Sequence, residues 1–164
     1  LYGGTSYIHA FLNSFEEHYN FYQAPKPKNP IIIVLDNDSG FNGIDGLLKG
    51  KLSGTPYPST LGKNEFRKAD FIHVTKNLYI VMNPLGVKGE PLAIESLFSP
   101  ATRAIKVSGK SVNPENKMDK NTEFGKEIFA SKVVMANKGT IDFSGFEVLM
   151  NRIVMCLQHY ELVS

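Results

Sequence analysis

The chain has 164 residues, of which 42% are apolar and 21% charged, with 11 Phe and 7 Tyr. Such a composition excludes a disordered chain, and the longest apolar run, Ile31 to Leu35, is far shorter than the ~18–20 residues of a membrane-spanning helix. A single cysteine excludes an intramolecular disulfide framework and a multi-cysteine zinc site, while a net charge of +2 neither advertises nor forbids a nucleic-acid partner. The length suits one domain over residues 1–164. Because it starts Leu1-Tyr2-Gly3-Gly4, without methionine or a signal peptide, the chain reads as a piece of a longer polypeptide.

In chain order, residues 6–22 carry Ile8, Phe11, Leu12, Phe15, Tyr19 and Tyr22 at spacings of three and four, which predicts an amphipathic helix with Ser6 as its N-cap. Three prolines between Gln23 and Pro30 end it. The run Ile31 to Leu35 is apolar at every position, so it is expected in the middle of a sheet covered on both faces. Residues 39–70 read as a loop with one short helix over 44–49. Phe71-Ile72-His73-Val74-Thr75 and Leu78-Tyr79-Ile80-Val81-Met82, separated by Lys76-Asn77, predict a hairpin. A short helix is expected over 91–98, and an exposed polar loop over 106–122. Thr122 is expected to cap a helix reaching Asn137, with Gly139 as its stop. Ser144-Gly145-Phe146-Glu147 has the form of a capping box, and Phe146, Leu149, Met150, Ile153, Val154, Leu157 and Tyr160 form an apolar stripe on a final helix. Helix, connector and strand in succession predict an α/β fold, with a mostly parallel sheet of about four strands flanked by helices and a helical C-terminal extension.

The strongest chemical signal is Leu35-Asp36-Asn37-Asp38-Ser39-Gly40, directly after the apolar strand. Ligands of parallel α/β sheets bind at the carboxyl ends of strands. Two carboxylates one residue apart suit a hard cation such as Mg²⁺ or Mn²⁺. The same residues also fit a plain polar turn. Glu95, a lone acid within Leu92-Ala93-Ile94-Glu95-Ser96-Leu97-Phe98, is a second candidate, either buried in a pocket or solvated on a helix. Lys49, Lys51, Lys63, Arg67 and Lys68, with Tyr57 and Phe66 among them, form a loosely basic and aromatic stretch that suits a phosphate backbone or a solvated loop equally well. His9, His18, His73 and His159 have no ligand spacing, and Cys156 lies on the apolar stripe as a structural thiol. The glycines of 40–54 do not form a P-loop.

An Asp-x-Asp pair after an apolar strand, preceded by a helix and followed by a separate Glu motif, resembles the Toprim domain. The ordered set of Ile31 to Gly40, Asn77-Leu78-Tyr79-Ile80-Val81, Ile94-Glu95-Ser96-Leu97-Phe98, Phe124-Gly125-Lys126 and Ile141-Asp142-Phe143-Ser144-Gly145-Phe146 resembles, more narrowly, the Toprim-like extension of retron-type reverse transcriptases. The resemblance implies a Toprim-like, Rossmann-like fold and a Mg²⁺-dependent, nuclease-type site. In it Asp36 and Asp38 match the metal-binding pair and Glu95 a later acid. It implies DNA or an RNA–DNA hybrid as partner, an upstream RNA-directed DNA polymerase domain in the same chain, a bacterial cytoplasmic location and a role in antiviral defence. The family's first motif, Glu-Gly-x-Thr-Asp, falls on Tyr2-Gly3-Gly4-Thr5-Ser6, where Tyr2 replaces the catalytic glutamate and Ser6 the aspartate. A phenol with an ordinary pKa near ~10 is a poor base beside a glutamate near ~4.3.

Three readings follow. The chain is a Mg²⁺-dependent phosphodiester-processing domain with a degenerate first motif. Alternatively, it is a non-catalytic module that holds the RNA–DNA hybrid or an effector. The third is a response-regulator-like or phosphatase-like domain built on Asp36, against which the remaining motifs argue.

Overall fold

The computed structural model describes residues 5–22, 25–63, 65–114 and 118–163. They fall into two compact units. The first runs to Ala93 and takes up the chain again at Val148, and the second is Ile94–Glu147. Among the described residues no helix is long and apolar enough to cross a membrane.

In the first unit, helix α1 (Thr5–Phe21) precedes strand β1 (Ile31–Leu35), helix α2 (Phe41–Lys49), strands β2 (Thr55–Tyr57), β3 (Phe71–Thr75) and β4 (Leu78–Met82). The expected hairpin and short helix are there. The helix already includes Thr5, so Ser6 lies inside it rather than capping it. Four strands form one sheet in the order β1-β4-β3-β2. Only β1 and β4 are parallel; β4 with β3 and β3 with β2 run antiparallel. The fold is therefore α/β with a mixed sheet, where a mostly parallel one was expected.

β1 also departs from its expected place. It forms the edge, with Ile31 and Val34 exposed at 40% and 41%. The central, fully buried strand is β4, all five of whose residues are buried. It pairs on both sides, whereas β1 pairs on one.

The alternation of strand side chains divides the core into two layers. Ile72, Val74, Leu78, Ile80 and Met82 face Leu12 and Phe15 of α1 and Phe41, Ile44 and Leu48 of α2. Phe71, His73 and Tyr79 face the final helix, α5 (Glu147–Val163), through His159 and Tyr160. The buried stripe of α5 is Leu149, Arg152, Cys156 and Tyr160. This is rotated from the predicted stripe: Met150, Val154 and Leu157 are exposed. Arg152 turns inward because its Nη1 donates to the Met82 carbonyl at 2.7 Å and its Nε lies 3.4 Å from Asp70 Oδ1. Burial lowers the pKa of this guanidinium, and the Asp70 carboxylate opposes that shift.

The second unit starts with a 3-10 turn at Ile94–Leu97, followed by α3 (Pro100–Arg103), the paired strands β5 (Ser111–Val112) and β6 (Glu123–Phe124), and α4 (Lys126–Ile128). Ser99 caps α3 through Thr102 N at 3.2 Å. The expected exposed loop over 106–122 thus contains β5 and a bridge between Val107 and Lys110. The helix expected from Thr122 starts at Lys126 and passes into a π-helical stretch over Phe129–Val134. Thr122 instead donates its hydroxyl to Asp119 Oδ2. Phe98, Phe124, Phe129 and Val133 form this unit's core. Ser144 is the first residue of a 3-10 turn, Ser144–Phe146; its N–H donates to Asp142 Oδ1 at 2.8 Å and its side chain bonds the same carboxylate, so Asp142 supplies the turn that the capping box was expected to give.

Candidate functional site

The chain leaves β1 as Asp36-Asn37-Asp38-Ser39-Gly40 and enters α2 directly at Phe41. The turn is set by its own backbone. Phe41 N donates to the Asp38 carbonyl, Asn42 N to the Ser39 carbonyl, and Gly40 N to Asp38 Oδ1 at 2.8 Å. Parallel pairing of Leu35 with Met82 brings the next residue of each strand, Asp36 and Asn83, side by side. Asn83 Nδ2 donates to Asp36 Oδ1 at 2.8 Å. A strand-end carboxylate and a strand-end amide thus share the carboxyl end of the parallel pair, the place where such sheets hold ligands.

Asn37, between the two aspartates, points inward and is fully buried. Its Nδ2 donates to the carbonyls of Arg67 and Asn83 at 3.0 and 3.1 Å, and its Oδ1 accepts from Arg67 Nη1 at 2.9 Å. Arg67 Nη2 donates to the Asp38 carbonyl at 2.9 Å and to Asn42 Oδ1 at 2.8 Å, and the guanidinium sits 5.2 Å from the Phe41 ring centroid. Asn37 and Arg67 therefore lock the loop, and Asp36 and Asp38, on either side of a buried residue, are only partly buried.

Asn83 is itself fully buried, and its Oδ1 has no hydrogen-bond partner. Its orientation follows from its Nδ2, which faces two acceptors, Asp36 Oδ1 and the Leu92 carbonyl at 3.5 Å. Asp36 and Asp38, two carboxylates one residue apart at the strand end, are hard oxygen donors. That donor chemistry fits Mg²⁺ or Mn²⁺. Among the described residues no three His, Cys, Asp or Glu side chains are gathered as a ligand group.

Of the predicted basic residues, Arg67, in the 3-10 turn Phe66–Lys68, reaches this loop. Lys49 pairs with Asp45 and Lys68 with Glu65 at 2.8 Å. Lys51 donates to the Asn13 carbonyl at 2.9 Å and its Oδ1 at 2.8 Å. Lys63 lies just before the 3-10 turn at Phe66–Lys68. Glu95 belongs to the second unit, where it is 8% exposed, and its Oε2 lies 3.1 Å from Lys126 Nζ with the geometry of an ion pair rather than a hydrogen bond. It lines a small cavity with Phe98, Phe129 and Phe146. Tyr2 lies outside the described residues. Asn37, Asn83 and the locking role of Arg67 are what sequence reading missed. Asn83 is legible there only as the residue that closes a strand before Pro84.

Elsewhere in the first unit, His159 bridges two phenols. Its Nδ1 meets the Tyr79 hydroxyl at 2.9 Å and its Nε2 the Tyr57 hydroxyl at 2.8 Å. Burial lowers the His159 pKa, with His73 nearby adding to the shift, and burial pushes the Tyr79 hydroxyl up to about 12. Burial likewise raises the Cys156 thiol to about 12, as expected of a structural thiol. No family model matches the chain, and no solved structure is significantly similar to it.

Proposed function

We propose that the chain is a Toprim-like domain that binds a divalent cation through Asp36 and Asp38 and handles the phosphates of nucleic acid there, as part of a retron-type reverse transcriptase. The observation that carries this reading is the meeting of Asp36 with Asn83 at the carboxyl end of β1 and β4, with Asp38 two residues on in a loop locked by Arg67. Asp36 and Asp38 would hold the cation, with Arg67 and Asn37 fixing the loop that carries the aspartates. A bound divalent cation neutralises phosphate charge. The residues supply hard oxygen donors and a rigid loop. With Tyr2 at the place of the family's acid, the chain as it stands binds rather than cleaves efficiently.

The test is calorimetric titration of the chain with Mg²⁺ and Mn²⁺. Binding is expected, and Asp36→Asn or Asp38→Asn should weaken it at least about tenfold, a loss of ~1.4 kcal/mol. Absence of binding, or unchanged binding in both variants, would overturn the cation site. Robust Mg²⁺-dependent cleavage of DNA by the unaltered chain would overturn the degenerate-site reading and leave the cation site standing.

A further inference from the structure

His159 joins the last turns of α5 to three strands of the sheet. Its Nε2 meets the Tyr57 hydroxyl of β2 at 2.8 Å and its Nδ1 the Tyr79 hydroxyl of β4 at 2.9 Å. From β3, the His73 and Phe71 rings lie 5.6 and 5.4 Å from the His159 ring, centroid to centroid. None of these groups takes part in the Asp36–Asp38 site.

The two phenols differ in what they can do. Tyr79 is fully buried, and among the described residues the one hydrogen-bond partner of its hydroxyl is His159 Nδ1. Tyr57 is half-buried, so its hydroxyl can turn to solvent. An unpaired buried donor is costly, so the Tyr79 O–H donates to Nδ1 and the Nε2–H donates to Tyr57. This arrangement needs a neutral imidazole, because an imidazolium donates from both nitrogens. A proton on Nδ1 reverses the bond to Tyr79 and leaves the buried O–H without an acceptor. The other titratable groups around the ring give the new charge no partner. His73 is a second base, its Nε2 at 2.9 Å from the Lys76 carbonyl, so acid adds like charge beside like charge. On α5 itself, the Tyr160 hydroxyl donates to the Pro27 carbonyl, and burial pushes the Cys156 thiol up to about 12. Glu161, two residues on, points to the other side of the helix. Asp70 lies against Arg152, and among the described residues no carboxylate pairs with His159.

We propose that His159 is a proton-operated latch for the last turns of α5, residues 153–163. With the ring neutral, the two phenols hold the helix on β2 and β4. With the ring protonated, the Tyr79 bond fails, the helix end lifts, and the Phe71 and Tyr79 rings are uncovered. Arg152 stays bonded to the Met82 carbonyl, so the first turns of α5 remain in place. In the lifted helix His159 regains its ordinary pKa of 6.5, whereas in the closed one it lies lower, so protons favour the open form. The latch is closed above pH 6.5 and gives way as the pH falls through the pKa of the closed ring. It shares no residue with the Asp36–Asp38 site and stands without it.

Cys156, fully buried on α5 and the chain's one cysteine, reports the lifting. The experiment labels the full chain with 4,4′-dithiodipyridine, which reacts with thiols in acid as well, at a series of pH values between 7.5 and 5. Each rate is divided by that of the urea-unfolded chain at the same pH, which cancels the pH dependence of thiol and reagent. The ratio is expected to rise several-fold as the pH falls, with a midpoint below 6.5, and to stay flat in His159→Gln. Amide exchange, corrected for intrinsic rates, should quicken over 153–163 while Leu78–Met82 of β4 stays protected. A flat ratio in the unaltered chain, a midpoint at or above 6.5, or an equal rise in His159→Gln would overturn the latch. So would loss of protection in β4 together with α5, which would show global unfolding in acid rather than release of the helix end.

Discussion

Asn37 is the residue on which the Asp36–Asp38 loop depends most. It is fully buried and serves two carbonyls and one guanidinium at once. Asn37→Ala removes all three bonds and leaves the Arg67 and Asn83 carbonyls short of a donor. The expected loss is about 3 kcal/mol, read as a lowered midpoint of urea unfolding. Cys156 gives a second residue-scale outcome. It is fully buried, with its thiol raised to about 12, so at pH 8 it holds about a thousandfold less thiolate than an ordinary thiol. A thiol reagent at pH 8 should therefore label the folded chain very slowly and the urea-unfolded chain promptly. Equal rates would show Cys156 to be accessible. At His159 the folded pKa lies below the ordinary value of 6.5, so the unfolded chain takes up this proton first as the pH falls. Its contribution to stability is whole above pH 6.5 and is lost as the pH drops through the folded pKa. Unfolding midpoints at pH 7 and pH 5.5 should therefore differ, and His159→Gln should shrink that difference.

At the scale of elements, local sequence located nearly every helix and strand of the first unit and misjudged their company. The two apolar, β-branched and aromatic runs 71–75 and 78–82, with Lys76-Asn77 between, were enough for the hairpin, because a tight turn and the strands it joins are encoded locally. The β-branched run of β1 was enough for a strand but not for its place. Which strand becomes central depends on pairing partners, and the partners of β4 lie 47 residues before it and a few residues before it in sequence. The α5 stripe was misassigned for a related reason. Arg152 is buried through its bond to the Met82 carbonyl of β4, so the buried face is not simply the most apolar one. In the second unit, Gly145 has a role that sequence could not reveal. A Cβ there would overlap the Leu97 carbonyl oxygen. Gly145→Ala should therefore destabilise the unit by about 1–3 kcal/mol, checked by thermal unfolding. Loss of less than half a kcal/mol would mean the turn at Ser144–Phe146 gives way freely.

At the scale of the whole molecule, the first unit is completed by chain that returns after the second. α5 covers the sheet face formed by Phe71, His73 and Tyr79. Truncation after Glu147 uncovers those rings and leaves Asp70 without Arg152. The truncated chain is expected to lose its cooperative unfolding transition and to bind a hydrophobic dye, and a retained sharp transition would show that the sheet needs only α1 and α2.

By itself the sequence determined the α/β class, the hairpin, the helices α1 and α2, and the Asp-x-Asp pair after a strand, since all of these are written in periodicity and turn chemistry over a few neighbours. The tertiary structure alone decided that the sheet is mixed, that β4 is its centre, that Asn83 meets Asp36, and that His159 bridges Tyr57 and Tyr79. Each of these depends on which distant segments pair, and pairing is settled by burial and hydrogen-bond satisfaction across the whole unit, not by any stretch read alone.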